Sequence, residues 1–254
     1  MKAENIMEEK LNLADTNRSS KLMLPGEIPG ATVYHYVMLS GDTVQFMADP
    51  QFIRILFLCQ GEVTFALGEQ SWHYSQKAVF VPLPEQTVEV RVAQTAHLLE
   101  IRWELIDADR AELAEKKEQF PVTQMYMAAM QYRDPFKSEK TISRAILPHR
   151  TLPRFAMGSV ETYADDLIGQ HEHPLLDQFF FSFPENDMTL LIDDLQYPMG
   201  ANTLLHVPLG SNHGVSVTRK QVAHYIWIDF IPDPEKGNAY LDDVHKPTGT
   251  TRTF

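Results

Sequence analysis

The stretch that decides the fold lies in the second half of the chain and contains two histidines separated by one residue. It reads Gly169-Gln170-His171-Glu172-His173-Pro174-Leu175-Leu176-Asp177-Gln178-Phe179-Phe180-Phe181. Because side chains alternate along a β-strand, His171 and His173 are predicted to point to the same face, with Glu172 on the other. Two imidazoles placed in this way can reach one metal ion. Gln178 begins the next apolar strand, from which its amide oxygen could reach the same point.

A fourth candidate ligand follows in a turn further along the chain. Residues 200–213 read Gly-Ala-Asn-Thr-Leu-Leu-His-Val-Pro-Leu-Gly-Ser-Asn-His. Pro208 and Gly210 turn the chain, so that His213 stands where the next strand begins. We therefore predict a divalent metal site made of His171, His173, Gln178 and His213. Asp177 is the alternative to Gln178, although it should face the opposite side of its strand.

These two motifs resemble the two signature motifs of the cupin superfamily, over Arg154–Phe230. The resemblance implies a small antiparallel β-barrel or jelly roll that holds one divalent metal ion. The family usually has Glu at the position of Gln178. Gln is a known variant, found for example in cupins that resemble uronate-processing enzymes of pectin degradation, and it makes the site one negative charge poorer.

The chain also repeats itself at close to half its length. Val-Pro-Leu occurs at residues 81–83 and again at 207–209, a displacement of 126 positions. Residues 96–103 match 223–230 at a displacement of 127, and 64–67 match 189–192 at a displacement of 125. Three matches in order at nearly one displacement indicate duplication of one module. Two cupin modules in tandem would make the protein a bicupin.

Both copies are predicted to consist of short antiparallel strands. β-Branched and aromatic runs alternate with turn residues at intervals of about ten positions, and no helical pattern separates them, which favours a barrel or jelly roll over a βαβ fold. The strands predicted for the first copy are Thr32–Met38, Ile53–Cys59, Glu62–Leu67, Lys77–Val81, Val88–Val92 and His97–Trp103. Those predicted for the second are Phe155–Thr162, Gln178–Phe183, Met188–Ile192, Thr203–Val207, Gly214–Thr218 and His224–Phe230.

Helical patterns are confined to the periphery, at residues 2–14 and from Asp109 to about Gln119, where Asp109 and Glu112 resemble a capping box. We expect an N-terminal extension (1–30), an N-terminal barrel without metal ligands (31–120), a linker (121–141), a metal-binding C-terminal barrel (142–231) and a tail (232–254).

The first copy lacks the metal-binding residues of the second. Aligning Pro82 with Pro208 places Thr87 where His213 stands. The strand before Gly61 places Arg54 near the position of Gln178, with Met47 and Asp49 at the positions of the two histidines. Thioether, carboxylate, guanidinium and hydroxyl groups do not make a plausible divalent site. The first barrel is therefore interpreted as a structural partner.

Composition limits the classes of partner. The 254 residues carry 22 Lys and Arg against 34 Asp and Glu, a formal charge of −12, which disfavours nucleic acid and anionic lipid as partners. The one cysteine, Cys59, cannot form an internal disulfide. The first ten residues mix charged and apolar types and do not resemble a signal peptide, and no apolar run is long enough to span a bilayer. We expect a cytoplasmic protein.

The predicted site suggests Lewis-acid chemistry on a small molecule. Three neutral imidazoles and one amide leave the charge of the ion (Zn, Mn, Fe or Ni) uncompensated, which suits an anionic or polyhydroxy substrate such as a sugar acid or keto acid. Asp229 and Tyr163 are candidate acid–base groups, although a surface position for either is equally compatible with the sequence.

The leading hypothesis is a metal-dependent isomerase, lyase or tautomerase of carbohydrate metabolism. A resemblance to bicupin deoxyglucuronate isomerases, in the aromatic strand after the ligands and in the last strand, points the same way. The alternatives are a cupin dioxygenase and a non-catalytic protein that binds or senses a sugar-like molecule. By analogy with cupins, a homodimer is expected.

Overall fold

The computed structural model describes residues 6–173, 175–193 and 195–249, and these residues form two compact units. One unit contains residues 12–128, and the other contains residues 6–11 and 129–249. The division falls inside the segment 121–141, whose two halves form strands in different units. The first five residues of the predicted extension and the last five of the predicted tail lie outside the described residues.

Antiparallel strands make up most of both units, which confirms the all-β prediction. The two α-helices are α1 (Asp107–Glu115) and α2 (Pro234–Val244). The strands are β1 (Glu8–Lys10), β2 (Ser19–Met23), β3 (Ala31–Met38), β4 (Thr43–Phe46), β5 (Phe52–Leu67), β6 (Gln70–Tyr74), β7 (Ala78–Val81), β8 (Val88–Glu104), β9 (Val122–Met125), β10 (Met130–Arg133), β11 (Ile142–Leu152), β12 (Phe155–Tyr163), β13 (Asp166–Glu172), β14 (Asp177–Ser182), β15 (Met188–Ile192), β16 (Leu195–Met199), β17 (Thr203–Val207), β18 (Asn212–Val217), β19 (Val222–Phe230) and β20 (Lys246–Pro247).

In the unit of residues 12–128, the two long strands β5 and β8 lie at the centre of one sheet. This sheet has the order β2-β3-β8-β5-β7-β9, and β4 and β6 pair with the far ends of β8 and β5. The sequence predicts breaks near Gly61 and Ala93, but the chain continues as β5 and β8 through register shifts at Leu58–Val63. Gly61 has a φ of 101°, and a Cβ there would overlap the backbone of Thr95 and Ala96. The bulge therefore requires glycine.

The other unit packs two separate sheets face to face. The larger has the order β1-β17-β14-β19-β12-β11-β10-β20, and the smaller has the order β13-β18-β15-β16. Alternate residues of each strand enter the core between the sheets, including Phe180, Leu205 and Trp227 from the larger sheet. Ile168, Leu190 and Val215 come from the smaller sheet. This sandwich has the jelly-roll form that the motifs predict.

Strand registers repeat between the two units, as the sequence matches require. Leu98 pairs with Tyr36, and Tyr225, 127 positions after Leu98, pairs with Val160. Glu100 pairs with Leu56, and Trp227, again 127 positions later, pairs with Phe180. The order β4-β8-β5-β6 also corresponds to β13-β18-β15-β16. Both units are thus copies of one module.

The helical predictions are partly wrong. Within residues 2–14, Glu8–Lys10 form strand β1 on the edge of β17, because the sheet supplies backbone hydrogen bonds that a short isolated helix lacks. Helix α1 begins two residues before Asp109, whose carboxylate accepts the backbone N–H of Ile106. Helix α2 lies in the predicted tail. In the described part of the chain, no helix is long and apolar enough to cross a membrane.

Two buried histidines face each other across β3 and β8. His35 Nε2 and His97 Nδ1 lie 3.1 Å apart, and the rings stack at 5.3 Å. Burial, together with the charge of His97, lowers the pKa of His35 from 6.5 to about 4, and burial also lowers the pKa of His97. This hydrogen bond needs one ring as donor and the other as acceptor, so protonation of both rings would break it.

Acidification is expected to destabilise this unit. The unfolded chain takes up protons near pH 6.5 and the folded chain only near pH 4, so the free energy of unfolding falls between these values, by on the order of 1–3 kcal/mol. Hydrogen exchange of the β3 and β8 amides at pH 7 and pH 4.5 measures this change. The variant His35→Gln should show a flatter pH dependence, and an equally steep one would contradict the assignment.

Candidate metal centre

Three histidines converge at one end of the C-terminal sandwich. His171 is the last but one residue of β13 and lies directly opposite His213 in the register of β18, and His173 follows immediately after β13. One ring nitrogen of each histidine lies within 4.8 Å of those of the other two. The predicted strand alternation brings the first pair together because His171 and His173 are separated by one residue, and the antiparallel pairing brings in His213.

Burial keeps these imidazoles neutral. Desolvation lowers the pKa of all three, that of His213 to about 3, and the neighbouring rings of the cluster further lower the pKa of His173 and of His213. His171 Nδ1 lies 2.8 Å from the Gly169 carbonyl oxygen, and His213 Nδ1 lies 3.1 Å from that of Ser211. These contacts assign the proton to Nδ1 and leave the Nε2 lone pair for a ligand.

The donor set fits a divalent ion. His173 Nδ1 is buried, and within the described residues it has no hydrogen-bond partner. Neutral imidazole is the form that binds zinc, manganese, iron or nickel. The cluster of His171, His173 and His213 could therefore hold a metal ion.

Gln178 lines the same cavity, and Asp177 does not. Gln178 Nε2 donates a hydrogen bond to Asp229 Oδ1 at 2.7 Å, which leaves Gln178 Oε1 available as a ligand. Asp177 points to the opposite face of β14 and accepts a hydrogen bond from His206 Nε2 at 2.9 Å. Of the two alternatives that the sequence left open, the structure places only Gln178 beside the histidines.

Asp229 is a buried carboxyl group in the cavity wall. It lies on β19 directly opposite Gln178 and is 1% exposed. Burial raises its pKa to about 7, although the hydrogen bond from Gln178 and the charge of Lys137 both act to lower it. At neutral pH the group can therefore exist in either protonation state, which is the property of an acid–base catalyst.

Tyr163, the second predicted acid–base residue, does not reach the cavity. Its side chain is exposed at the end of β12, and its hydroxyl donates to Glu161 Oε1 at 2.8 Å. Val160, on the same strand, does line the cavity. Tyr163 follows Val160 by three residues. Side chains alternate between the two faces of a strand, so an odd separation directs Tyr163 to the face opposite Val160.

A loop after β10 supplies cavity residues that the sequence did not reveal. Phe136 stacks on the His171 ring at 4.2 Å, and its carbonyl oxygen accepts the Gly169 N–H at 2.9 Å. Lys137 forms an ion pair with Asp134 at 2.9 Å. Burial would lower the pKa of Lys137, but Tyr132 and Asp134 raise it above its usual value, so the ammonium stays charged.

His245, which follows α2, also lines the cavity. Burial lowers its pKa to about 3, and its ring packs against Tyr132 at 4.4 Å. Neither this residue nor the loop carries a sequence motif. The segments 121–141 and 232–254 are read from the sequence as a linker and a tail, and only the packing of Asp134–Lys137 against β13 brings the loop to the site.

The other unit has an ion pair at the corresponding place. By the repeated registers, Tyr36, Arg54 and Glu100 correspond to Val160, Gln178 and Trp227. Arg54 Nε donates to Glu100 Oε1 at 2.5 Å, and the Tyr36 hydroxyl donates to Glu100 Oε2 at 2.8 Å. No cluster of metal-ligating side chains occurs among the described residues of this unit.

Comparison with known proteins identifies the fold. No family model and no curated protein matches the sequence. A cupin 2 conserved barrel domain protein from Leptotrichia buccalis superposes with a TM-score of 0.59 at 10% identity, over 90% of this chain and 98% of that chain. The chain has a bicupin fold.

Two further solved structures resemble this bicupin over most of both chains. An oxalate decarboxylase from Bacillus subtilis, described for its Mn(II) centres, has a TM-score of 0.65 at 10% identity. The match covers 92% of this chain and 78% of the decarboxylase chain. An IolB-like protein from Salmonella typhimurium has a TM-score of 0.63 at 13% identity, with coverages of 84% and 90%. The predicted cupin resemblance is confirmed, and at these identities it establishes the fold alone.

Replacing one imidazole should abolish stoichiometric metal binding. After incubation with Zn²⁺ or Mn²⁺ and gel filtration, the wild type is expected to retain one ion per chain. His171→Ala should lose affinity by more than the roughly 10–100-fold that loss of an outer hydrogen-bond partner costs, because a direct ligand is removed. Elemental analysis measures the content. His73→Ala, which removes an exposed imidazole of the other unit, is the control. Equal metal content in all three proteins would refute the site.

Proposed function

We propose that this bicupin is a metal-dependent lyase or isomerase that acts on a small carboxylic acid, of the sugar-acid or keto-acid type. The observation that carries the proposal is the placement of Asp229 in the same small cavity as His171, His173 and His213. A cavity that combines neutral metal ligands with one ionisable carboxyl group has the elements needed to polarise a substrate oxygen and to move a proton.

The charges in the cavity favour an anionic substrate. The ligand set of three neutral imidazoles and one amide contributes no negative charge, and the charges of Asp134 and Lys137 cancel. A divalent ion held by these residues would act as a Lewis acid toward a carbonyl or enediolate oxygen. Its charge would be balanced by the carboxylate of the substrate and by Asp229 in its ionised form.

Asp229 is assigned the proton transfer. Its carboxylate would take the proton from the carbon next to the substrate carbonyl, and the resulting carboxylic acid would return it to a different carbon or oxygen atom. The hydrogen bond from Gln178 Nε2 fixes the orientation of the carboxyl group. Val160, Phe180 and Val215 contribute apolar side chains to the wall of the cavity.

One of the similar structures supports this choice. The oxalate decarboxylase acts on a small carboxylic acid and contains Mn(II) centres, which favours manganese among the candidate metals and a lyase or related reaction. The homodimer and the cytoplasmic location stay predictions from the sequence.

Asp229→Asn should remove turnover while leaving metal binding intact. The amide keeps an oxygen for the Gln178 hydrogen bond but cannot accept a proton, so kcat is expected to fall by about 10²–10⁴-fold. The measurement is turnover of a panel of sugar acids and keto acids by metal-loaded protein, with metal content determined in parallel. Asp187→Asn, which changes an exposed carboxylate of the same unit, should keep wild-type activity.

The same panel separates the competing functions. Isomerase or lyase activity persists without dioxygen, whereas a cupin dioxygenase would stop under strict anaerobiosis. Saturable binding of an acid without conversion would identify a non-catalytic binding protein and refute the enzymatic proposal. Wild-type activity of Asp229→Asn would refute the role of Asp229.

A further inference from the structure

Three residues stand at the junction of two cavities in the C-terminal unit. The metal cavity has a volume of about 30 Å³, room for one or two water molecules. A larger groove of about 780 Å³ lies next to it. Tyr132, Asp134 and Lys137 line both cavities. These three side chains can therefore contact a molecule in either space.

The hydroxyl group of Tyr132 has a proton without an acceptor. Its oxygen receives hydrogen bonds from Trp227 Nε1 at 3.1 Å and from Lys137 Nζ at 3.2 Å. Both donors are groups that cannot accept, so the two lone pairs of the phenol oxygen are occupied. Its own O–H must point elsewhere, and no acceptor for it is found among the residues that the structure describes.

Lys137 likewise has one N–H without an acceptor in the described part of the chain. An ammonium group has three donors, of which Asp134 Oδ2 accepts one at 2.9 Å and the Tyr132 oxygen accepts another. Asp134 is itself held in place, because its other oxygen accepts the backbone N–H of Phe136 at 2.9 Å. The side chain of Lys137 is 8% exposed, so a third acceptor would have to be a molecule in the cavity.

We propose that Lys137 Nζ and Tyr132 Oη together bind a carboxylate group of the substrate at the junction of the two cavities. Two adjacent donors, one of them charged, match the two oxygens of a carboxylate. The inference rests on the proposed function, and it assigns the substrate carboxylate to this donor pair.

The groove indicates what the rest of the substrate looks like. Its wall contains the hydroxyl groups of Ser138, Thr141 and Ser143 and the amide of Gln131. The groove therefore suits hydroxyl groups, and the substrate class that fits both parts is a polyhydroxy carboxylic acid.

Acetate titration of the metal-free full-length protein tests the carboxylate site without any assay of turnover. The chain has three tryptophans, so a proton–nitrogen NMR spectrum shows three indole N–H signals, and Trp227→Phe assigns the one beside Tyr132. Acetate is expected to shift the Trp227 signal saturably and to leave Trp72 and Trp103 in place. Acetamide, the neutral analogue, should cause no shift.

Variants locate the bound acetate. Lys137→Met should weaken acetate binding by about tenfold or more, because a charge-assisted hydrogen bond is lost. The double variant Asp134→Asn with Lys137→Met removes both charges of the ion pair and gives a second measurement should the single variant fail to fold. Tyr132→Phe is expected to weaken binding by roughly threefold. Lys140→Met, three positions away and exposed, should bind acetate as the wild type does.

The outcomes separate this inference from the proposed function. The carboxylate site is refuted if acetate leaves the Trp227 signal unmoved, if acetamide binds equally well, or if the double variant keeps wild-type affinity. A carboxylate site that behaves as expected in a protein that turns over no acid would refute the enzymatic proposal alone. Loss of turnover in Asp229→Asn together with unchanged acetate binding in the Lys137 variants would refute the carboxylate site alone.

Discussion

The burial of three imidazoles in one small cavity is the constraint on which the rest of the site depends. A charge on His173 or His213 would lie among apolar side chains and beside two other rings, so desolvation and mutual repulsion both keep these groups neutral. Neutral rings have lone pairs that need a partner. The same burial raises the pKa of Asp229 toward neutrality. Burial thus both keeps the three imidazoles neutral and brings the pKa of Asp229 close to neutrality.

The two copies of the module have different side chains at three corresponding positions of their cores. The registers of β3, β8 and β5 place Tyr36, Arg54 and Glu100 in one core, and the registers of β12, β14 and β19 place Val160, Gln178 and Trp227 in the other. A buried arginine and a buried glutamate are tolerated because each satisfies the other, and because the Tyr36 hydroxyl and backbone carbonyls complete the network. In this unit the Glu100 carboxylate thus accepts from both Arg54 and Tyr36.

Segments between the strands complete the wall of the metal cavity. The loop from Asp134 to Lys137 contacts β13 through the Phe136 ring and carbonyl group, and this contact brings the ammonium of Lys137 to the cavity. Gly158, which pairs with Trp227 in the sheet, leaves room for the indole because a Cβ at this position would overlap the ring. Trp227 in turn donates to Tyr132. Loops and small residues therefore determine the recognition chemistry on a scaffold of regular strands.

The sequence by itself determined the repeated all-β module and the convergence of His171, His173 and His213. Both follow from local rules, since a period of two places alternate residues on one face, and turn residues mark where strands end. The sequence did not distinguish Gln178 from Asp177 as the fourth candidate ligand. The pairing of β14 with β19 places Gln178, and not Asp177, beside Asp229 in the cavity. Tyr163 was misplaced because the sequence does not say which face of β12 lines the cavity.

Only the tertiary structure placed Asp134, Lys137 and His245 in the cavity wall. These residues lie far from the histidine motif in sequence, and no periodic pattern marks them. Their positions depend on contacts between segments distant along the chain, such as the stacking of Phe136 on His171. Local preference predicts strands and turns well, but the energy that fixes a loop on a sheet comes from such long-range contacts, which a single sequence does not reveal.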